Sequence, residues 1–273
     1  MEMSRLACAM RALVLLTLPC LWTAAACQSK ISDQELLAKS RAAYDAPFTR
    51  NLISFDCAVE FDWKKHFVDL LGSMPPAALP TTERLQAVPH RVFVDRSGAT
   101  VCAQPKAPDL AGVAHGAELE QVYNSMISSG LNAWLPSSTN VLLPVGPTKF
   151  NFEPIASGYK LTMSGKGLDA QLLLTSDLRL RSGVTQLPQP TRFTTDFDSG
   201  PEGFVLTLIR TGNTTDTAVD SQATFAYTYQ TAMGFQLPAQ ITVTSAQHDK
   251  WIYRLTDCKT MTGRTIRNLP VAQ

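Results

Sequence analysis

Apolar and polar residues alternate strictly along residues 53–61, and this is the clearest hydrophobic pattern in the chain. A period of two residues is typical of a β-strand that packs one face on a core and exposes the other to water. The pattern therefore predicts a strand whose buried face carries Ile53, Phe55, Cys57, Val59 and Phe61.

The second half of the chain repeats this pattern in shorter segments that are separated by turn residues such as Gly, Ser, Asn and Asp. Strands every ~8–14 residues with local turns predict an antiparallel meander that closes toward a barrel, and they argue against βαβ units. The predicted strands lie at 150–152, 159–164, 169–175, 179–186, 192–198, 204–210, 223–230, 239–245 and 251–256.

Helical signals are few and lie in the first half. Ser32 and Glu35 have the spacing of a capping box, so a helix is predicted over 33–45 and is stopped by Pro47. Apolar residues at helical spacing predict further helices over 63–71 and 117–129. The second of these carries a stripe formed by Leu119, Val122, Met126 and Ile127.

Two connecting segments complete the first half. The proline-rich run 73–80 is predicted to be a loop, because proline lacks a backbone donor and fixes φ. Residues 91–94 and 100–104 are predicted to form a hairpin. The fold class expected is mainly β (α+β), with two or three covering helices and one domain over 27–273.

The first 26 residues have the three parts of an export signal: basic residues, a short apolar run and small residues before a cleavage site. Arg5 and Arg11 supply the charge, 12–22 form the apolar run, and 24–26 are three alanines. The apolar run is too short to cross a bilayer, which needs about 20 residues. We therefore expect an exported protein of the periplasm or outer membrane of a Gram-negative-type bacterium.

Two interpretations of the cleavage site remain open. Ala24 and Ala26 fit an ordinary signal peptidase, which would leave Cys27 as a plain first residue. A lipobox would instead make Cys27 a lipidated membrane anchor, although Ala24 stands where a larger aliphatic residue is usual.

Charge excludes some classes of partner. Without the first 26 residues, Lys plus Arg falls from 24 to 22 and Asp plus Glu from 23 to 22, so the mature chain is formally neutral. A neutral chain without basic runs lacks the electrostatic footprint that nucleic acid or an anionic membrane surface requires. No nucleic-acid partner is expected.

Three cysteines besides Cys27 remain in the mature chain, namely Cys57, Cys102 and Cys258. An exported protein matures where disulfides form, so we expect one structural bridge among these three. The sequence does not choose the pairing. Their spacing contains no C-x-x-C and no cysteine–histidine cluster, so neither a metal nor a redox site is expected.

Motifs of the common catalytic classes are missing from the sequence. It contains no G-x-S-x-G elbow, no H-E-x-x-H and no Walker A loop. The four histidines are scattered, without metal-ligand spacing. We expect a protein that is not an enzyme and that uses no cofactor.

Three stretches resemble one known family. A helix followed by the strand LISFDCA at 52–58, the strand GFVLTL at 203–208 and the phrase MGFQLPAQI at 233–241 resemble the LolA/LolB-like periplasmic lipoprotein-carrier superfamily, as does the order of elements. The resemblance covers most of the mature chain through weak, mainly structural motifs. It implies a curved half-barrel covered by helices, with an apolar cavity for acyl chains.

That resemblance yields a functional hypothesis. It implies an exported envelope protein that binds a lipid, an acyl chain of a lipoprotein or another hydrophobic ligand. The alternative is a non-enzymatic, lipid-anchored scaffold or interaction protein of the envelope. The lining residues expected from alternation are Ile53, Phe55, Val59, Phe61, Phe150, Phe152, Leu206, Leu208, Phe225 and Tyr227.

Overall fold

The structure is a computed structural model that describes residues 31–73, 76, 79–103, 115–140, 143, 148–165, 168–186, 190–213 and 223–263. The predicted signal segment 1–26 and Cys27 lie outside the described residues. The helices within them are α1 (Asp33–Ala42), a 3-10 helix (Pro47–Thr49), α2 (Trp63–Leu71), α3 (Leu79–Gln86) and α4 (Gly116–Ser138).

Twelve strands form one sheet in the order β3-β2-β1-β12-β11-β10-β9-β8-β7-β6-β5-β4. Neighbouring strands are antiparallel throughout, and most neighbours in the sheet are consecutive in the chain. The predicted mainly β meander is confirmed. The strands are β1 (Leu52–Phe61), β2 (His90–Asp95), β3 (Gly98–Ala103), β4 (Lys149–Ile155), β5 (Gly158–Gly165), β6 (Leu168–Leu174), β7 (Leu180–Thr185), β8 (Thr191–Gly200), β9 (Gly203–Asn213), β10 (Ala223–Ala232), β11 (Phe235–Ser245) and β12 (Lys250–Thr262).

The sheet is open, as expected for a half-barrel. Its edges are β3 and β4, and a helix side chain caps a backbone N–H on each. Asn132 of α4 accepts from Ala99 N–H at 3.1 Å, and Asp33 of α1 accepts from Phe152 N–H at 3.3 Å. Such caps occupy groups that would otherwise pair with another chain.

Helix boundaries differ from the predictions at three places. The capping box of Ser32 and Glu35 is present, but α1 ends at Ala42. The run predicted as a loop over 73–80 gives way to α3 at Leu79, where Pro80 occupies the first turn and loses no helical hydrogen bond. Helix α4 continues to Ser138, well past the predicted end at residue 129.

The regular alternation of the first strand begins at Phe55, two residues later than predicted. Leu52 faces Thr262 of β12 and Ser54 faces Met261, so Ile53 is the extra residue of a β-bulge. Ile53 is 47% exposed, and its predicted place on the buried face is wrong. Phe55, Cys57, Val59 and Phe61 are buried as predicted.

The disulfide joins Cys57 to Cys258, and Cys102 is free and exposed. The bridge links β1 to β12, which are 201 residues apart at the cysteines. Beside it, a second bulge places Asp257 at φ 44°. Arg91 donates to both Asp56 and Asp257 at 2.9 Å, so one guanidinium ties three neighbouring strands on the outer face.

Removing this bridge should cost more stability than any single side-chain contact. By chain entropy, a cross-link across about 200 residues stabilises by about 5 kcal/mol. We expect Cys57→Ala with Cys258→Ala to lower the free energy of unfolding by about 3–5 kcal/mol in urea melts. Cys102→Ala should leave the midpoint unchanged, and a loss below about 1 kcal/mol for the double variant would contradict the expectation.

Candidate functional site

Helix α4 lies against the face of the sheet that carries Phe55 and Phe61, here called the inner face. It contacts strands from β3 at the edge to β9, seven neighbours in the sheet order. Trp134 near one end of α4 packs on Phe55 of β1, and Tyr123 toward the other end packs on Phe61 of the same strand, so α4 runs along the strands and presents its width to the sheet. Seven flat strands would span about 29 Å at ~4.8 Å spacing, whereas a helix with its side chains is only ~10 Å wide. The sheet must therefore curl around α4, which makes the inner face concave.

A glycine lets the helix approach the sheet closely. A Cβ built on Gly130 would lie 2.8 Å from Cγ2 of Ile241 on β11, and Val243 and Phe225 stand just beyond. A side chain at this position would have to displace those groups. The glycine is therefore explained by packing, and it brings the helix backbone into contact with three sheet side chains.

Sheet tyrosines bind the backbone of α4. Tyr227 donates its hydroxyl to Gly130 O at 2.8 Å, and Tyr253 donates to Tyr123 O at 3.2 Å. Burial raises the pKa of Tyr227 and of Tyr253 far above the usual value, so both hydroxyls stay protonated. A third hydroxyl, of Tyr229, accepts from Trp134 Nε1 at 3.2 Å.

Aromatic rings hold both ends of α4. At one end, Trp134 packs edge-on against Phe55 at 5.9 Å and against Phe48 of the 3-10 helix at 6.3 Å. At the other end, the ring centroid of Phe61 lies 5.4 Å from that of Tyr123 of α4 and 5.0 Å from that of Tyr253 of β12. Between the ends, Ile127 and Leu131 are fully buried.

Most of the predicted lining residues lie on the inner face, and six belong to the half of the sheet that α4 covers. Each of the six is buried. The first strand supplies three, β9 one and β10 two: Phe55, Val59, Phe61, Leu206, Phe225 and Tyr227.

Phe150 and Phe152 lie apart from this group. Their strand β4 packs near α1, and their rings are 6.3 Å from one another. Phe152 is buried and Phe150 partly so. Helix α1 is joined to the end of α4, because Asn140 donates to Arg41 O at 3.3 Å. The end of α4 therefore lies next to α1, which packs near the opposite edge of the sheet at β4.

Leu208 is on the outer face, which corrects its predicted place. A bulge in β9 puts Leu206 opposite Phe197 but Leu208 opposite Asp196, so the alternation reverses between the two leucines. Ile209 takes the inner position, facing Phe225. The predictions for Ile53 and Leu208 are wrong for the same reason. A bulge depends on the partner strand, so the local alternation of apolar and polar residues does not reveal it.

Side chains of α4 fill the space above the predicted lining residues. Two clefts among the described residues lie away from this face. One of about 330 Å³ lies between α2 and α3 and is lined partly by Lys64, Leu79 and Glu83. Another of about 400 Å³ lies beside β5–β7, near Ser164 and Asp169. Because the six predicted lining residues under α4 are buried, the helix closes that part of the inner face in this conformation.

The prediction from sequence missed several residues of the interface between α4 and the sheet. The buried stripe of α4 is Tyr123, Ile127, Leu131 and Trp134, whereas Val122, which was predicted to belong to it, is 41% exposed. Because the predicted helix ended at residue 129, Gly130, Leu131 and Trp134 were not predicted to belong to it. The apolar spacing of Ile127, Leu131 and Trp134 was the signal that would have extended it.

Within the described ranges, no group of three or more His, Cys, Asp or Glu side chains is arranged to hold a metal ion. No described helix is both long and apolar enough to cross a membrane.

Comparisons with known proteins leave the family open. No protein-family model matches the chain, and no curated protein matches it. Among solved structures, a LolA superfamily protein from Nitrosomonas europaea is similar over 88% of this chain and 96% of its own, at 12% identity and a TM-score of 0.28. A TM-score and an identity this low do not support assigning a fold or a family, so the description of the fold rests on the sheet described above.

The tyrosine contacts predict a measurable share of stability. Tyr227→Phe removes one buried hydroxyl and leaves Gly130 O its helical partner, so we expect a loss of about 1 kcal/mol in the free energy of unfolding by urea melts. Tyr159→Phe, a partly buried tyrosine of β5, serves as the matched control and should change it by less than about 0.5 kcal/mol. Equal effects of the two variants would refute a specific role for the Tyr227 contact.

Proposed function

We propose that this protein binds a hydrophobic ligand, such as a lipid or an acyl chain, between α4 and the concave inner face of the sheet. The observation that carries the proposal is that one helix, α4, covers the apolar and aromatic part of the concave face from β3 to β9. A second sheet would make such a face inaccessible, whereas one helix can move as a unit.

The contacts between α4 and the sheet are of a kind that an acyl chain can replace. Apolar surface of Phe55, Phe61 and Phe225 meets apolar side chains of the helix, and a chain of methylene groups gains about 0.8 kcal/mol for each one buried. The Tyr227 and Tyr253 hydroxyls now bind helix carbonyls. The carbonyl of an ester or amide would satisfy them equally.

The location proposed is the cell envelope. It rests on the export signal of residues 1–26, with Cys27 either as a plain N-terminus or as a lipid anchor. A carrier of apolar ligands is useful where these must cross water, and the periplasm is such a compartment. Membrane lipids and the acyl chains of lipoproteins are the ligands that this location would supply.

A specific observation favours a second candidate function. The six lining residues under α4 are buried by protein side chains, as in an ordinary core. If α4 never separates from the sheet, the protein is a non-enzymatic scaffold or interaction protein of the envelope, anchored to the membrane through a lipidated Cys27. The two functions differ in whether the helix can separate from the sheet.

Locking α4 to the sheet separates these alternatives. A Cβ on Gly130 would lie 2.8 Å from Cγ2 of Ile241. The two Cβ atoms therefore come within about 4.3 Å, which suits a disulfide. We expect Gly130→Cys with Ile241→Cys, once oxidised, to take up no lipid. The wild type should acquire phosphatidylethanolamine or phosphatidylglycerol from vesicles, as read by native mass spectrometry without detergent.

Two controls complete the test. Ile241→Cys alone carries the same loss of packing without the lock, and wild type in reductant accounts for opening of the native Cys57–Cys258 bridge. Uptake by the oxidised double variant would place the ligand elsewhere. A wild type that stays free of lipid after delipidation and incubation would sink the carrier function and leave the scaffold.

A further inference from the structure

Helices α2 and α3 form a hairpin that docks at the Phe61 end of the sheet. Each helix buries only two side chains, Trp63 and His66 from α2 and Thr82 and Leu85 from α3. The two helices are joined through Gln86, whose side-chain oxygen accepts from Trp63 N–H at 3.1 Å. His66 is therefore one of few residues that attach the hairpin to the sheet.

The ring of His66 lies among aromatic side chains. Its centroid is 4.0 Å from that of Trp251, 5.3 Å from Phe61 and 5.8 Å from Phe67, and the residue is 7% exposed. Nδ1 lies 3.3 Å from Lys250 O on β12. A carbonyl oxygen only accepts, so Nδ1 carries the proton of the neutral ring and Nε2 is the nitrogen that a second proton would reach.

Charged groups near His66 are few. Asp69 on the same helix and Asp249 in the turn before β12 favour the charged ring. Glu83 and Arg84 of α3 are exposed, and on the α4 side His90 and Glu120 bind one another at 2.9 Å. Burial outweighs the hydrogen bond to Lys250 O and the two aspartates, and it lowers the pKa of His66 below its ordinary value.

We propose that His66 is a pH-sensitive latch: protonation of its ring releases the α2–α3 hairpin from the aromatic cluster at the end of the sheet. The imidazolium ion must shed water to remain between Phe61 and Trp251, whereas a released hairpin returns it to solvent. Because the docked state favours the neutral ring, docking is strongest above about pH 6.5 and weakens as pH falls toward the lowered pKa.

Release would uncover the end of α4. Trp63 packs on Tyr123 of α4 at 5.4 Å and on Phe61 at 4.9 Å, so hairpin release removes a ring from each. The element that the latch moves is the α2–α3 hairpin and not α4, although Phe61 belongs both to the aromatic cluster and to the predicted lining. The latch stands or falls without any ligand being bound.

Hydrogen exchange of the full mature chain tests the latch. Between about pH 7.5 and 5, protection factors of α2 and α3 amides should fall up to tenfold for each pH unit below about 6.5, once corrected for intrinsic exchange. Amides of β10 and β11 should keep theirs and report an intact sheet. His66→Gln retains an N–H donor for Lys250 O but does not titrate, so its α2–α3 protection should be independent of pH.

Matched variants make the result specific. His248→Asn removes an exposed histidine from the neighbouring turn, at φ 68°, which asparagine tolerates. It should behave as wild type, and His66→Phe, which keeps an aromatic ring against Trp251, should match His66→Gln. The latch is overturned if either His66 variant retains the wild-type pH dependence, or if wild-type α2–α3 protection is constant over this range.

Discussion

The packing of α4 against the inner face is the contact on which the shape of this protein depends. A sheet of twelve strands has far more apolar surface than one helix can cover if it stays flat. Curling brings seven of the strands to the same helix. The close approach at Gly130 makes the curl possible, because it places the helix backbone directly against Ile241.

Polar groups give that apolar contact a defined position. Hydrophobic packing alone tolerates sliding, whereas Tyr227 and Tyr253 each reach one particular carbonyl of the helix. Their bonds fix the height of α4 along the sheet. Each bond is worth only ~1 kcal/mol, so the two bonds set the position of α4 while its buried apolar side chains supply most of the attachment.

The pairing of β1 with β12 performs the other essential task. It joins the N-terminal strands, which supply Phe55 and Phe61, to the C-terminal meander, which supplies Phe225 and Tyr227. The Cys57–Cys258 bridge and the Arg91 ion pairs lie at the same junction. Without this junction the concave face would be divided between two separate sheets.

Much of the local structure follows from the sequence. Alternation located the strands, the capping box of Ser32 located α1, and helical spacing gave α2 with its observed ends. These features depend on residues a few positions apart, so a local pattern contains what is needed to predict them. The same holds for the burial of Phe55, Phe225 and Tyr227.

The tertiary structure alone decided the remainder. Ile53 and Leu208 do not lie on the inner face, because each is at or next to a bulge. The position of a bulge depends on the pairing register with a strand that is distant in the chain. The disulfide pairing depended on which strand came to lie beside β1. The filling of the concave face by α4 depended on the curl of the whole sheet. These are properties of pairs of elements far apart in the chain, and alternation within one segment carries no information about its partner.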